Sequence, residues 1–218
     1  MRYSINDVAG NQRVDSGDSA TMVASHCVEF GATISGTIAI EFRAVTGDLD
    51  SDFYTATVVM TMTNLRATTG AGDVSGNGGI TLTLVGSGVD AGSVDMTVSS
   101  LTMTGRVAGA TETLQLQDWR IVSSFQPSSG GIRTSTTVNG KLISATLGSQ
   151  SVTVATVTPF IQLGHEPYPA SGQFVATGAN GSKVRVTAQN AARVLVELDA
   201  DGNNVYEASV SRLWSELG

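Results

Sequence analysis

A chain of 218 residues is long enough to bury a full core, and all-β sandwiches and barrels of this length often form one domain. Charged residues make up only 14%, against abundant Gly, Ser and Thr, which suits strands joined by tight turns better than helices. The net charge of −7 lacks the clustered Lys and Arg of a nucleic-acid footprint and disfavours anionic lipid surfaces, so neither is an expected partner.

No segment approaches the ~18 consecutive apolar residues of a membrane helix, so no transmembrane segment is expected. The first 25 residues contain no apolar signal-peptide core. A membrane barrel is disfavoured by the few aromatics and by turns that are not sorted into short and long sets. Residues 1–25 read as an irregular N-terminal arm or as a donor or edge strand, with a turn at Asp15 to Asp18. Residues 26–218 read as a single all-β domain.

From Thr33 the alternation is clean: Ile34, Gly36, Ile38, Ile40 and Phe42 share one face, with Thr33, Ser35, Thr37, Glu41 and Arg43 on the other. After a turn at Gly47 to Asp52, Tyr54, Ala56, Val58, Met60 and Met62 continue the apolar face opposite a row of Thr, predicting a long antiparallel ribbon. Thr68 to Gly79 reads as a Gly-rich loop, followed by Ile80, Leu82 and Leu84. Val94, Met96 and Val98 have the opposite parity to Leu101 and Met103, and the same slip recurs around Asp118, between Leu116 and Trp119. Each slip predicts a β-bulge.

Further turns are expected at Gln126 to Gly131, Asn139-Gly140 and Gly148 to Gln150, and Pro159 marks a strand end or an edge. Gly164 to Ser171 is a Pro-containing connection into a C-terminal hairpin meander over about 168–214. Its punctuation is the most specific in the chain: Asn180-Gly181 lies between the alternations of Phe174, Ala176 and of Val184, Val186. Val194, Val196 and Leu198 lead into a second turn at Asp199 to Asn204. The last residues, SRLWSELG, fit one helical turn or an edge strand that buries Leu213 and Trp214. The predicted fold is an all-β antiparallel meander of about a dozen strands, forming a sandwich or a curved, barrel-like sheet.

Tyr168-Pro169, Ser171-Gly172, Thr177-Gly178-Ala179, Gly181-Ser182-Lys183, Asp199-Ala200-Asp201-Gly202, Tyr206-Glu207 and Trp214 together form a pattern. In it the chain resembles the C-terminal part of a family of β-rich bacterial proteins, often exported or lipid-anchored. A looser likeness continues upstream through Cys27 to Phe30 and Ile34 to Thr37. The resemblance implies an all-β fold and an extracellular or outer cell-surface location, and it brings no activity with it. Such relatives carry a signal sequence and a further upstream Cys that this sequence lacks.

The candidate metal site is Asp199, Asp201 and Asn203, whose spacing matches the first ligands of a calcium loop. Val210 stands where the bidentate Glu would be, and Asp and Asn favour turns unaided, so a solvated turn is the preferred reading and calcium the alternative. Cys27 has no partner for an intrachain disulfide, and His26 beside it faces the other way on a regular strand. His165 and Glu166 fall in a connection, and two His are too few for a typical zinc site. Asp118 beside Trp119 offers a sugar-lining alternative to a core Trp. The paired Thr rows show no repeat period, and no phosphate loop, nucleophile elbow or zinc helix is present. No catalytic residues and no cofactor beyond calcium are expected. The expected function is a non-enzymatic structural or interaction protein that self-assembles through strand addition. The alternative is a ligand-binding module for glycan or calcium using the C-terminal turns.

Overall fold

The computed structural model describes residues 1–29, 31–70, 72–107 and 110–217, with the backbone alone for Val107 and Ala110. The described strands are β1 (Arg2–Asn6), β2 (Ser19–Glu29), β3 (Ala32–Gly47), β4 (Phe53–Thr69), β5 (Gly72–Gly88), β6 (Ala91–Val107), β7 (Ala110–Ser128), β8 (Gly131–Ser144), β9 (Ser151–Leu163), β10 (Ser171–Thr177), β11 (Lys183–Asn190), β12 (Arg193–Asp199) and β13 (Ala208–Leu213). Each pairs antiparallel with the next, so the sheet order is the sequence order and β1 and β13 are its two edges. The all-β antiparallel meander is what the chain forms, as one open sheet of thirteen strands. Residues 1–25 hold the edge strand β1, a loop, and the start of β2.

Register turns the alternation of each strand into rows that cross the whole sheet. Ala20, Ile40, Met60 and Ile80 are successive partners, as are Val58, Leu82, Met96, Ile121 and Val138. Ala56, Leu84, Val94, Ser123, Thr136 and Phe160 form the neighbouring row. Phe174, Val186, Val196 and Val210 carry the stripe to the second edge. A side-chain period of two keeps these rows on one face. The buried apolar residues Ala24, Ala56, Val58, Val98, Leu101, Val186, Ala188 and Val194 all belong to it. The ion pairs Arg43–Glu41, Arg66–Asp73, Arg120–Asp95 and Arg185–Glu197 belong to the other.

A transverse seam of irregular pairing interrupts the long strands. The β6–β7 register steps over Ser99 and Asp118 together, where the parity slips predicted bulges, and Asp118 takes φ 47°. On the same line His26 and Asn64 also have positive φ. Gly78 and Gly140 complete it because no side chain fits there. A Cβ on Gly78 would stand 2.4 Å from the Ser100 carbonyl oxygen, and one on Gly140 would stand 2.6 Å from Trp119 Cα. The extra residues restore the apolar side chains to the same face on both sides of the seam.

Three sequence expectations are corrected. The Gly-rich stretch to Gly79 is not a loop, because β5 begins at Gly72. There Gly76 lies between Leu65 and Met103, and Gly78 between Met62 and Leu101, where a Cβ on Gly78 would stand 3.1 Å from Leu101 Cδ1. Asn139-Gly140 is not a turn but lies inside β8, where Gly140 stands opposite the two-residue bulge Asp118-Trp119 of β7. Pro159 lies inside β9, an interior strand, and is tolerated because the registers to β8 and β10 both shift around it.

Candidate functional site: an uncovered apolar face and an acidic turn

The accessible surface is 12461 Å². A compact monomer of 22.4 kDa exposes ~9,400 Å², so this chain carries ~3,000 Å² in excess. The excess follows from the architecture, since a single sheet has no second layer to cover its apolar side. Most apolar residues of the long strands are therefore only half-buried, flanked by their row neighbours and open above.

Two apolar concavities mark this face. One, of about 430 Å³, is lined by Tyr3, Ile5, Met22, Ile38, Ile40 and Met60. The other, of about 490 Å³, lies between Trp119, Val138, Phe160, Phe174, Pro169 and Trp214. The second is built by the chain's own end. After β13 a 3-10 turn, Trp214–Glu216, swings Trp214 back over the sheet, where its indole N–H donates to the Asn190 carbonyl at 3.3 Å. Its ring stacks on Tyr168 at 6.1 Å and meets Phe160 edge-on at 6.2 Å, while Phe160 lies 6.1 Å from Phe174. Both sequence alternatives for SRLWSELG hold in part, as strand then turn, but Leu213 remains 40% exposed and is not buried.

The turn after β12 is organised by Asp199, which is fully buried. Its carboxylate accepts the backbone N–H groups of Gly202 at 2.8 Å, Asn203 at 3.1 Å and Asn204 at 2.9 Å. Asp201 accepts the backbone N–H and the side-chain amide of Asn203, whose own Oδ1 accepts from Val205. The side-chain oxygens of all three predicted ligands are thus engaged within the turn. One carboxylate oxygen each of Asp199, Asp201 and Glu207 come within 4.8 Å of one another. Glu207, which accepts from the Ala200 N–H, was missed because it stands across the hairpin, outside the consecutive odd spacing. On the polar face nearby, Arg185 donates to both Glu197 oxygens, at 2.6 and 2.7 Å, and lies 3.9 Å from the Tyr206 ring centroid. That hydrogen bonding holds the Glu197 carboxyl below the usual carboxylate range.

The other singled-out residues are dispersed. His26 occupies the bulge of β2, and its N–H donates to Ser35 Oγ, while Cys27 lies with its sulfur 3.9 Å from the Ser25 carbonyl. His165 Nδ1 bonds the Gly130 carbonyl, and the Glu166 carboxylate accepts from the Leu163 N–H. Asp118 and Trp119 border a groove of about 420 Å³ with Thr81, Thr97 and Arg120, and Arg120 is held by Asp95 at 2.6 Å. Trp119 also lines the aromatic cavity on the apolar face. Among the described residues no helix is long and apolar enough to cross a membrane. No family model matches the chain, and neither does any curated protein or solved structure at a significant level.

Proposed function

We propose that this protein is a non-enzymatic structural or interaction module, exported or displayed at the outer cell surface, that works by burying its apolar sheet face on a partner. One observation carries the reading. The rows from Ala20 to Val210 contain no charged residue, the strand ion pairs lie opposite, and among the described residues of β3 to β7 only Ala56, Val58, Val98 and Leu101 of the apolar side chains are buried. Apolar patches of this extent mark interaction sites. The location rests on the resemblance of the C-terminal pattern. Strand addition is the weaker route to association, because the free edges β1 and β13 are five and six residues long while β4 to β7 run to 17–19 residues inside the sheet.

The test compares Met60→Glu, on the face, with Thr61→Glu, on its reverse. Sedimentation and binding of an apolar fluorescent dye should change with the first variant and not with the second. A wild-type chain that neither associates, nor binds vesicles, nor takes up dye refutes the reading. The second reading, a ligand-binding module, draws on the convergence of Asp199, Asp201 and Glu207 for calcium and on the groove beside Asp118 for glycan. Calorimetric titration with calcium tests the metal version. No heat with wild type, and none altered by Asp201→Ala or Glu207→Ala, removes it.

A further inference from the structure

We infer that the partner is a second copy of this chain, docked face to face so that the two open sheets become the layers of one sandwich. The inference rests on the apolar face being a contact surface, and it adds the occupant and the geometry.

The area decides first. Covering half of the ~3,000 Å² excess on each of two chains would bury ~3,000 Å² in total, within the range of about 2,000–5,000 Å² typical of obligate homodimers. The same arrangement supplies what a single-layer sheet lacks, a second apolar layer about 10 Å away. A two-fold axis places the same patch on both sides, so the patch must be self-complementary in charge. The rows Val58–Leu82–Met96–Ile121 and Ala56–Leu84–Val94–Ser123 are uncharged, which meets that condition although each chain carries a net charge of −7. The ion pairs Arg66–Asp73, Arg120–Asp95 and Arg185–Glu197 remain on the outer, solvated faces of the sandwich.

The interface centres on β3 to β7. The C-terminal end of the same face is already covered by Trp214 against Phe160 and Tyr168, and there the second copy would meet the rim rather than the sheet. The edge strands β1 and β13 take no part in the docking, and their outward backbone groups stay in water.

Light scattering across about 1 to about 100 µM gives the mass, and native-state hydrogen exchange over the same dilution series gives the surface. The expected result is twice 22.4 kDa, with amides of β1 and β13 exchanging at rates independent of concentration. Leu82→Lys or Met96→Lys should weaken the dimer at least ~100-fold, since each buries an unpaired charge. Thr83→Lys, on the reverse of the same strand beside Asp95, should leave the dimer intact. The exchange measurement needs no variant, so it decides the case even where a lysine prevents folding. Association that protects the β1 or β13 amides shows edge-to-edge addition and overturns the proposal. A wild-type monomer throughout the range also overturns it. If that monomer binds lipid vesicles, the contact-face reading survives with a different occupant; if it binds neither vesicles nor dye, both fall.

Discussion

The sharpest separation between a structural turn and a metal site comes from Asp199→Ala. The Asp199 carboxylate is fully buried and accepts three backbone N–H groups; those of Gly202 and Asn204 reach no second acceptor among the described residues, while that of Asn203 also reaches Asp201. Hydrogen bonds to a charged acceptor contribute about 1.5–3 kcal/mol each. Counting the two bonds without a substitute at the lower figure, because the turn can readmit water, the loss should be ~3 kcal/mol. Asp199→Asn keeps one acceptor oxygen but sets an amide donor against a backbone donor, and should cost about 1–2 kcal/mol. Equilibrium urea unfolding measures both, and both costs should be the same in chelator and in excess calcium. An Ala variant within ~0.5 kcal/mol of wild type would refute the assignment of the turn to this carboxylate. A penalty that appears only with calcium present would return the site to metal binding.

Three further outcomes follow from the same geometry. Gly78→Ala should cost at least ~3 kcal/mol, because its Cβ meets the Ser100 carbonyl oxygen at 2.4 Å and Leu101 Cα at 2.7 Å with φ at +145°, whereas Gly105→Ala, with nothing within 4 Å, should be near neutral; urea midpoints compare them. The Arg185 hydrogen bond depresses the folded pKa of Glu197, so its contribution is fully present above the unfolded value of about 4.3 and is lost as pH falls through the folded value. Wild type should therefore lose stability relative to Glu197→Gln on acidification below that point, and parallel pH profiles of the two would contradict the pairing. Trp214→Ala removes the ring against Phe160 and Tyr168 from a half-buried position, and should cost about 2 kcal/mol by urea unfolding, with the loss unchanged on dilution.

The strand-by-strand fold was legible because alternation is a direct consequence of a pleated chain with one apolar side. Ile38, Ile40 and Phe42 opposite Met62, Met60 and Val58 fall in register as their parities require. The slips at Ser99-Ser100 and Asp118 were legible for the same reason, since a change of parity within one apolar run has few other solutions. The glycines misled. Gly78 and Gly140 look like punctuation in sequence, yet their roles are set by what stands on the neighbouring strands, Ser100 and Leu101 in one case and Trp119 in the other. Pro159 misled likewise, because the ladder breaks on both sides of it only after β8 and β10 are in place. In the acidic turn the local residues were readable, but Asp199 as the acceptor of its own backbone, and Glu207 as the third carboxylate, needed the hairpin to close.

Closure by local chemistry divides the sheet into two unlike parts. From β9 onward, turns are fixed by identifiable groups, and the chain end supplies cover of its own, Trp214 against Phe160, while Val186, Ala188 and Val194 are buried on β11 and β12. From β3 to β7 the strands are twice as long, and of their many described apolar side chains only Ala56, Val58, Val98 and Leu101 are buried. Alternation specifies which face of such a ribbon is apolar, but it carries no information on what lies against that face. The part most specific in sequence is thus the part that is complete in one chain. The part written only as alternation is the one left with a face to cover, and the long rows of Thr on its reverse keep the other side in water. A sheet built this way couples its stability to occupancy of the face, since any partner that binds the folded ribbon and not the unfolded chain raises the free energy of unfolding.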